Sequence, residues 1–466
     1  MKQERIKQVH FIGVGGVGMS GIARVAADQG MKVSGSDLRE SRYTRQLREA
    51  GVTVFIGHDA RHVPAGNPVV VVSTAILENN PELQEARRRG LEVWPRAKML
   101  AHLGVGLETL AVAGTHGKTT TSSMLAFALD ALGDDPTFLI GGIVRSYGTN
   151  AHSGSGRHYV VEADESDKSF LYLSPASVII TNVEADHLDH YRDLQEIREK
   201  FSAFIASVAK GGVAVVCGED ENLVALAKAT GTRVVTYGGS DTCDARLLSY
   251  EPNGVGSRFE LRLPDGSVVK GSVKQNPGRH NALNAASVIT LLWELGFDAQ
   301  KAADALADFA GVKRRFDLVG EAAGVTVVDD YAHHPTEIAA TIKAASALGF
   351  KHVRVLFQPH RYSRVKLFTH VLHDEFASAF DAADSATFMD VYPAGEAPVP
   401  GVNGKTFMNV LLDHEGHPVC TYVPNRTEVV PHLLDILEPG DLLITMGAGD
   451  VTAIGPQVLD ALKARA

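Results

Sequence analysis

The chain has 466 residues, of which 45% are hydrophobic and 21% charged, and its formal net charge is −10. This length predicts about two to four domains, and the composition is that of a globular protein. No apolar run approaches the roughly 18 residues of a membrane-spanning helix, and the polar start indicates no signal peptide. The negative charge is spread out without a basic stripe, which argues against nucleic acid as a partner.

The three cysteines, Cys217, Cys243 and Cys420, are far apart and form no CxxC pair. This spacing argues against a disulfide framework and against a zinc site. We therefore expect a cytoplasmic protein that does not insert into a membrane. The sequence makes no prediction about the oligomeric state.

Short apolar strands alternate with helical stretches along most of the chain. Strands are predicted at 9–14, 31–34, 52–56, 69–73, 109–113, 159–162, 178–181, 213–216, 325–328, 353–357 and 442–445. Helices are predicted at 81–89, where Gly90 ends the helix, and from about 280 to 295. Turn signals in 245–275 predict antiparallel hairpins. The alternation predicts an α/β protein of three domains, at 1–105, 106–314 and 315–466.

A glycine-rich loop follows the first strand and begins a helix. Gly13, Gly15, Gly16 and Gly18 give the pattern G-x-G-x-x-G. Such a loop lets a diphosphate approach the backbone at the positive end of the helix. Asp37 follows the next strand, where dinucleotide folds place a ribose-binding acid. The pattern does not distinguish NAD from a nucleotide sugar, and a glycine-rich turn without a ligand is the alternative.

A second loop joins an apolar strand to a helix and ends in Gly-Lys-Thr. It comprises Gly114, Thr115, His116, Gly117, Lys118, Thr119 and Thr120. Its glycines expose N–H groups to phosphates, the lysine neutralises phosphate oxygens, and the next hydroxyl binds Mg²⁺. Val112 occupies the first glycine position of the G-x-x-x-x-G-K-[ST] pattern, so the match is partial. An inert loop is the alternative to an ATP site.

Acidic clusters follow two later strands of the same domain. They are Glu162, Asp164, Glu165 and Asp167, and then Glu184, Asp186, His187, Asp189 and His190. Carboxylates at the carboxyl edge of a parallel sheet, beside a phosphate loop, are placed to hold Mg²⁺. A solvated acidic loop is the alternative for the first cluster. The residues alone leave His187 equally a surface residue or a ligand, because hard cations prefer oxygen.

Further polar residues follow in the last part of the chain. Asn281 and Asn284 begin the long helix, where amides bind the edges of a purine or simply cap the helix. Residues 329–335 and 358–364 follow apolar strands, at the rim where open α/β sheets bind ligands. The two arginines of the second segment, with histidines opposite, suit a small carboxylate or a phosphoryl group. A structural ion pair is the alternative.

Taken together, these motifs resemble those of the Mur ligase family, over essentially the whole chain. The segments are FIGVGGVGMSGIA (11–23), AGTHGKTTT (113–121), VVEADESD (160–167), TNVEADHLDHY (181–191), PGRHNALNAA (277–286), RRFD (314–317), DDYAHHPTE (329–337), QPHRYSR (358–364) and VYPAGE (391–396). The resemblance implies a Rossmann-like N-terminal domain that binds a UDP-sugar, and a central P-loop-type ATPase domain with a mixed sheet. It implies a Rossmann-like C-terminal domain that closes on ATP and the amino acid.

The resemblance also implies roles for individual residues. Lys118 meets the γ-phosphate, Thr119 and Glu162 hold one Mg²⁺, and His187 helps to hold a second. The residues implied near ATP or the amino acid are Asn281, Asn284, Arg315, Asp330, His333, Arg361 and Arg364. Ser73 joins the first glycine loop and Asp37 in the implied UDP-sugar site. Lys200 lies near the carbamylated lysine of other branches but does not align with it, so no modified lysine is predicted.

The N-terminal segment, DDYAHHPTE and PHRYSR resemble the branch that joins L-alanine to UDP-N-acetylmuramate in peptidoglycan biosynthesis. The implied reaction uses ATP and Mg²⁺ and passes through an acyl phosphate. A recycling ligase that attaches a preformed tripeptide to the same UDP-sugar is an alternative. An NAD-dependent oxidoreductase or a nucleotide-binding switch are alternatives from other classes. The oxidoreductase leaves the Gly-Lys-Thr loop unexplained, and the switch leaves the third-domain histidines and arginines unexplained.

Overall fold

A computed structural model of the chain describes residues 6–73, 75–186, 190–365 and 367–465. The chain divides into two units. One runs to Leu248 and also includes Leu261–Val269 and Asn284–Leu306, and the other contains Ser249–Glu260, Lys270–Leu283 and the chain from Ala307 onward. The described residues form three sheets, which confirms the three-domain α/β fold, while the domain boundaries at 105 and 314 stay predictions. Within the described ranges, no helix is both long and apolar enough to cross a membrane.

The first sheet is parallel. Its strands are β1 (Gln8–Ile12), β2 (Lys32–Asp37), β3 (Thr53–Ile56), β4 (Val69–Val72) and β5 (Val93–Pro95), in the order β3-β2-β1-β4-β5. Its helices are α1 (Val17–Asp28), α2 (Arg42–Glu49), α3 (Pro81–Arg88) and α4 (Arg96–Leu103). The strand order reverses at β1, so the glycine loop after β1 lies where open sheets bind ligands.

The first predicted strand ends two residues earlier than expected. Gly13 has a left-handed backbone, with φ of +83°, and this breaks the extended run at Ile12. The N–H groups of Gly13 and Val14 both donate to the carbonyl oxygen of Ser36, at 2.8 and 2.9 Å. The turn therefore fixes the start of the glycine loop against β2.

The second sheet has ten strands. They are β6 (Glu108–Ala113), β7 (Thr137–Val144), β8 (Thr149–His152), β9 (His158–Glu162), β10 (Ser177–Ile180), β11 (Ala214–Cys217), β12 (Val234–Gly238), β13 (Ala245–Asn253), β14 (Gly256–Arg262) and β15 (Val268–Val273). The order is β15-β14-β13-β12-β11-β10-β6-β9-β7-β8. The helices are α5 (Lys118–Ala131), α6 (Leu194–Ala206), α7 (Glu221–Ala229), α8 (Arg279–Glu294) and α9 (Ala299–Leu306).

Strand β6 lies within the parallel part of this sheet. It is parallel to β10 on one side and to β9 on the other. Its residues from Leu110 to Ala113 are fully buried, as expected of a strand covered on both faces. The loops that follow β6, β9 and β10 therefore meet at one edge of the sheet.

The third sheet has six strands. They are β16 (Asp317–Ala322), β17 (Val325–Asp330), β18 (Val353–Phe357), β19 (Ser385–Phe388), β20 (Val419–Tyr422) and β21 (Leu442–Met446), in the order β16-β17-β21-β18-β19-β20. The helices are α10 (Pro335–Ser346), α11 (His373–Ser378), α12 (Gly404–Leu412), α13 (Arg426–Ile436) and α14 (Ile454–Arg465). Strand β21 lies parallel between β17 and β18, so their carboxyl ends share one rim.

Candidate active site

The loop between β6 and α5 depends on two glycines. Gly114 and Gly117 have φ of +141° and +83°. A Cβ atom on Gly114 would lie 2.0 Å from Thr181 Oγ1, which is far inside contact distance. The loop therefore packs its backbone directly against the end of β10, where a side chain does not fit.

The residues after β10 hold the same loop through hydrogen bonds. Thr181 Oγ1 donates to the carbonyl oxygen of His116 at 2.6 Å. The side-chain amide of Asn182 accepts from the His116 N–H at 2.8 Å and donates to the His116 carbonyl at 3.1 Å. The Thr115 N–H donates to the carbonyl of Asn182 at 3.1 Å. The loop conformation is thus fixed by the protein itself.

Lys118 is nearly buried at the start of α5. Its Nζ donates to the carbonyls of Gly114 and Thr115, at 2.6 and 3.0 Å, and to Glu165 Oε1 at 2.9 Å. Burial lowers the pKa of Lys118, but the negative charges of Glu165, Asp164 and Glu162 outweigh burial and raise it. Burial also raises the pKa of Glu165 to about 7, against the opposing charge of Lys118. The loop therefore carries a fixed ammonium group.

A hydroxyl and a carboxylate meet beside this lysine. Thr119 Oγ1 donates to Glu162 Oε1 at 3.0 Å, and the N–H of Gly141 donates to Glu162 Oε2 at 2.7 Å. Both side chains offer oxygen, which is the ligand atom that Mg²⁺ prefers, so this pair fits the predicted ion. Thr120 is buried on the first turn of α5. His187, the other predicted ligand, lies outside the described residues.

The first glycine loop presents the bare start of helix α1. Gly16 is the N-cap residue, no side chain caps the helix, and the first turn contains no acidic residue. Asp37 Oδ2 accepts a hydrogen bond from the Gly15 N–H at 2.8 Å. Ser73 Oγ lies 3.6 Å from the position of a Cβ on Gly13. The structure thus brings Asp37 and Ser73 to this loop, next to N–H groups suited to an anion.

A buried carboxylate on α3 stabilises the first glycine loop. Glu82 on α3 is fully buried and accepts hydrogen bonds from His10 Nε2 and Ser36 Oγ, both at 2.7 Å. Burial raises the pKa of Glu82, but these hydrogen bonds outweigh it and the net shift is downward. The carbonyl oxygen of Ser36 accepts the hydrogen bonds that hold the loop backbone. Glu82 therefore stabilises the loop indirectly, through Ser36.

The two predicted asparagines lie one turn apart on α8. Asn284 Oδ1 is 3.1 Å from the position of a Cβ on Gly117, so it lies beside the phosphate loop. Asn281 Nδ2 donates to the carbonyl of Pro277 at 2.9 Å, which ties the start of α8 to the preceding loop. The placement of Asn284 agrees with a site for a nucleotide, and the nucleotide role of both asparagines stays a prediction.

In the third domain, Asp330 and Arg315 lie close together. Asp330 is buried at the end of β17 and accepts from the N–H groups of Phe316 and Ala332, at 2.7 and 2.8 Å. Burial raises the pKa of Asp330 to about 6, and the charge of Arg315 opposes this. The Arg315 guanidinium lies 5.2 Å from the ring centre of Tyr331, which is cation–π distance.

The segment after β18 folds against the segment after β19. Arg361 has a left-handed backbone, with φ of +68°, and its N–H donates to the carbonyl of Tyr392 at 2.8 Å. Ser363 donates through its N–H and its hydroxyl to Glu396, at 3.0 and 2.6 Å. A non-glycine residue in this conformation is strained and persists only where surrounding contacts hold it. Residues 392–396 therefore hold the arginine segment in place.

Histidines lie beside these arginines. The rings of His333 and His360 are 6.0 Å apart, edge to face, and His360 is stacked on Tyr392 at 5.7 Å. His333 Nδ1 lies 3.0 Å from the Tyr331 carbonyl, to which it can donate. The predicted residues His333, Arg361 and Arg364 thus share the rim formed by the ends of β17 and β18.

Comparison with known proteins explains why these sites occur in this order. Three family models match in sequence: the catalytic domain of the Mur ligase family over residues 8–105, the Mur ligase middle domain over 112–292, and the Mur ligase glutamate ligase domain over 314–449. The chain belongs to the Mur ligase family.

Individual members of the family match over nearly their full length. A UDP-N-acetylmuramate--L-alanine ligase of Thermobifida fusca is 46% identical over 472 aligned residues, which cover 98% of this chain and 97% of that protein. The crystal structure of the UDP-N-acetylmuramate-alanine ligase of Thermotoga maritima gives a TM-score of 0.80 at 29% identity, covering 98% of this chain and all of that one. A murein peptide ligase of Psychrobacter arcticus gives 0.70 at 26% identity, with 98% of each chain covered.

Several residues of this Mur ligase that shape the site had no predicted role. They are Glu82, Arg96, Gly141, Thr181, Asn182, His360, Tyr392 and Glu396. For example, Arg96 Nη1 lies 2.6 Å from the position of a Cβ on Gly18, and Arg96 Nη2 lies 3.7 Å from Asp164 Oδ2. Five of these residues fall inside the motif segments, and that position was the available signal: Thr181, Asn182, His360, Tyr392 and Glu396. Nothing local in the sequence marks Glu82 or Gly141.

Proposed function

We propose that this Mur ligase joins L-alanine to the carboxylate of UDP-N-acetylmuramate, with conversion of ATP to ADP and phosphate, in peptidoglycan biosynthesis. The supporting observation is the buried ammonium of Lys118 in the Gly-Lys-Thr loop, beside the Thr119–Glu162 pair. The Thermobifida fusca relative carries this activity in its name and matches from end to end. The alanine branch is favoured over the recycling ligase because the corresponding structure is the more similar of the two.

Activation of the carboxylate is the first chemical task. A carboxylate and an amine do not form an amide unaided, so a muramyl oxygen attacks the γ-phosphorus of ATP, and ADP leaves. The product is an acyl phosphate. Both reactants are anions, and the fixed charge of Lys118 offsets their repulsion where the phosphoryl group transfers. The hydrogen bonds from Thr181 and Asn182 hold the loop in position before ATP arrives.

One Mg²⁺ would be held by Thr119 and Glu162, and His187 would help to hold a second. Both ions would neutralise phosphate oxygens of ATP. The Thr119 hydroxyl and the Glu162 carboxylate supply the hard oxygen ligands that this ion requires. Gly141 donates to the second oxygen of Glu162 and orients the carboxylate. We place adenine near Asn284 and the closing contacts at Arg315 and Asp330.

The amine of L-alanine then attacks the acyl carbon, and phosphate leaves. We propose that Arg361 and Arg364 bind the alanine carboxylate, since a guanidinium matches a carboxylate through two parallel hydrogen bonds. The strained backbone at Arg361, held by Tyr392, sets the direction of this side chain. Water must be excluded because it hydrolyses the acyl phosphate, and closure of the third domain would serve that purpose.

The UDP-sugar is assigned to the first domain. Its diphosphate would lie at the uncapped start of α1, on the loop from Gly13 to Gly18. We place the reaction in the cytoplasm, where ATP is available and where the three free cysteines, Cys217, Cys243 and Cys420, would stay reduced.

Acceptor preference tests this proposal. ADP release is measured with UDP-N-acetylmuramate and ATP, and either L-alanine or the tripeptide L-alanyl-γ-D-glutamyl-meso-diaminopimelate. We expect ADP release with L-alanine, no release without the UDP-sugar, and a far lower kcat/KM with the tripeptide. Preference for the tripeptide would make the protein a recycling ligase, and NADH binding without ADP release would restore the oxidoreductase alternative.

A further inference from the structure

We propose that Nδ1 of His360 accepts a hydrogen bond from the amino group of the incoming amino acid, while the neighbouring guanidinium groups bind its carboxylate. This inference rests on the proposed function and adds a residue that selects the amine. Neither the sequence motifs nor the arginine assignment gives His360 a role.

The first observation is a buried nitrogen without a partner. His360 Nδ1 is inaccessible to solvent and finds no hydrogen-bond partner among the described residues. Buried polar atoms in native proteins are nearly always satisfied, and an exception at a ligand rim calls for an explanation. A ligand donor that arrives at this rim would satisfy the atom.

The second observation is that neighbouring rings hold the plane of the His360 imidazole. It stacks on Tyr392, with 13° between the planes, and meets His333 edge to face. The backbones of His360 and Tyr392 are bridged, and the Arg361 N–H donates to the Tyr392 carbonyl. These contacts hold the plane of the ring at the rim, beside the segment that carries the two arginines.

The surrounding charges keep the imidazole neutral. Burial, and after it the positive charges of Arg364, Arg361 and Arg314, lower the pKa of His360 to about 4, against the opposing charge of Glu396. A neutral imidazole has one nitrogen that accepts and one that donates. With the proton on Nε2, Nδ1 offers a lone pair, which suits an ammonium or amine and repels a carboxylate.

One short segment of the rim thus contains both a hydrogen-bond acceptor and cationic donors. Residues 360–364 place a neutral acceptor next to two guanidinium groups. An α-amino acid has the matching pair of groups, a hydrogen-bond donor and a carboxylate on one carbon. Alanine has only a methyl group besides these, so recognition of both polar groups is what separates it from simple carboxylic acids.

The test compares an amino acid with the same acid lacking its amine. KM for L-alanine, KM for ATP and the inhibition constant of propionate against L-alanine are measured for the parent and for His360→Ala. We expect KM for L-alanine to rise roughly tenfold or more, as for loss of a hydrogen bond to a charged group. The inhibition constant of propionate and KM for ATP should stay within about twofold of the parent values, given ordinary experimental spread.

Two variants with amide side chains identify which ring nitrogen is the acceptor. The side-chain oxygen of His360→Asn reaches the Nδ1 position, whereas the polar end of His360→Gln lies nearer the Nε2 position. We expect Asn to restore KM for L-alanine towards the parent value and Gln to resemble Ala. Better rescue by Gln would overturn the assignment to Nδ1. An equal loss for L-alanine, propionate and ATP in His360→Ala would show a structural role and overturn the proposal.

Arg361→Lys separates this inference from the proposed function. It should raise both KM for L-alanine and the inhibition constant of propionate, because both molecules carry the carboxylate. If Arg361→Lys raises both constants and His360→Ala changes neither, the role of His360 is refuted and the proposed function stands. No effect of Arg361→Lys on either would instead refute the placement of the amino acid. Thermal unfolding of every variant checks that the fold is retained.

Discussion

The loop that ends in Lys118 and the segment from His360 to Arg364 differ in how their polar groups are satisfied. In the first, backbone and lysine are held by protein partners, with Thr181, Asn182 and Glu165 supplying them. In the second, one residue has a strained backbone and a buried nitrogen has no partner among the described residues. The Gly-Lys-Thr loop is thus organised by contacts within the protein, whereas the segment from His360 to Arg364 contains a polar atom that we propose binds the amino acid.

Replacement of Lys118 should have the largest effect. Lys118→Ala removes the fixed charge at the transferring phosphoryl group, and we expect kcat to fall about a hundredfold or more, equivalent to ~3–4 kcal/mol. Steady-state ADP release measures this. Lys228→Ala, on the exposed side of α7, is the matched control. The double variant Lys118→Ala/Glu165→Gln removes the buried carboxylate that the single variant leaves without its partner. Parental turnover in Lys118→Ala or in the double variant would refute the phosphate-loop assignment.

A methyl group at Gly114 should be the next most harmful change. Its Cβ would lie 2.0 Å from Thr181 Oγ1, on a backbone that favours glycine. Gly266→Ala shares a left-handed backbone, with φ of +86°, but its Cβ meets no atom within 4 Å among the described residues. We expect calorimetry to detect no ATP binding by Gly114→Ala and parental ATP binding by Gly266→Ala, which should cost only about 1 kcal/mol of stability. Equal effects would show that the close packing of the phosphate loop is unimportant.

The Thr119–Glu162 pair predicts a metal dependence. Glu162→Gln keeps the shape of the side chain but removes the charge, so the Mg²⁺ concentration that gives half-maximal activity should rise roughly tenfold or more. Glu199→Gln, exposed on α6, is the control for loss of an acidic residue. Superimposable Mg²⁺ titrations of Glu162→Gln and the parent would remove Glu162 from the metal site.

The smallest expected effect is a pH dependence of stability from Glu165. Burial raises its pKa to about 7, from 4.5, so its contribution to stability is greatest below pH 4.5 and is lost as pH rises to 7. Glu165→Gln lacks this titration. Its unfolding temperature relative to the parent should therefore increase between pH 4.5 and 7, by on the order of a few degrees. A constant difference across that range would contradict the raised pKa.

The sequence predicted the local features of both regions. Strand periodicity predicted β6, β17 and β18. The Gly-Lys-Thr and arginine segments were predicted because the conformation of a turn or a helix start depends mainly on residues that are neighbours in sequence. The acidic cluster that contains Glu165 was predicted to lie beside the phosphate loop, but the contacts of Glu165 with Lys118 and of Thr181 with His116 were not predicted. Glu165 and Thr181 reach the phosphate loop because β9 and β10 flank β6, and this strand order has no local signature. The same holds for Tyr392, which reaches His360 from the segment after β19, the strand beside β18.

The passage of oxygen from the sugar to phosphate tests the central claim most directly. UDP-N-acetylmuramate labelled with ¹⁸O in its carboxylate is incubated with the enzyme, ATP and L-alanine, and the released phosphate is analysed by mass spectrometry. If Lys118 serves transfer of the γ-phosphoryl group to that carboxylate, each phosphate released should carry one labelled oxygen. Phosphate without label, formed together with the alanine amide, would contradict an acyl phosphate and the account built on it.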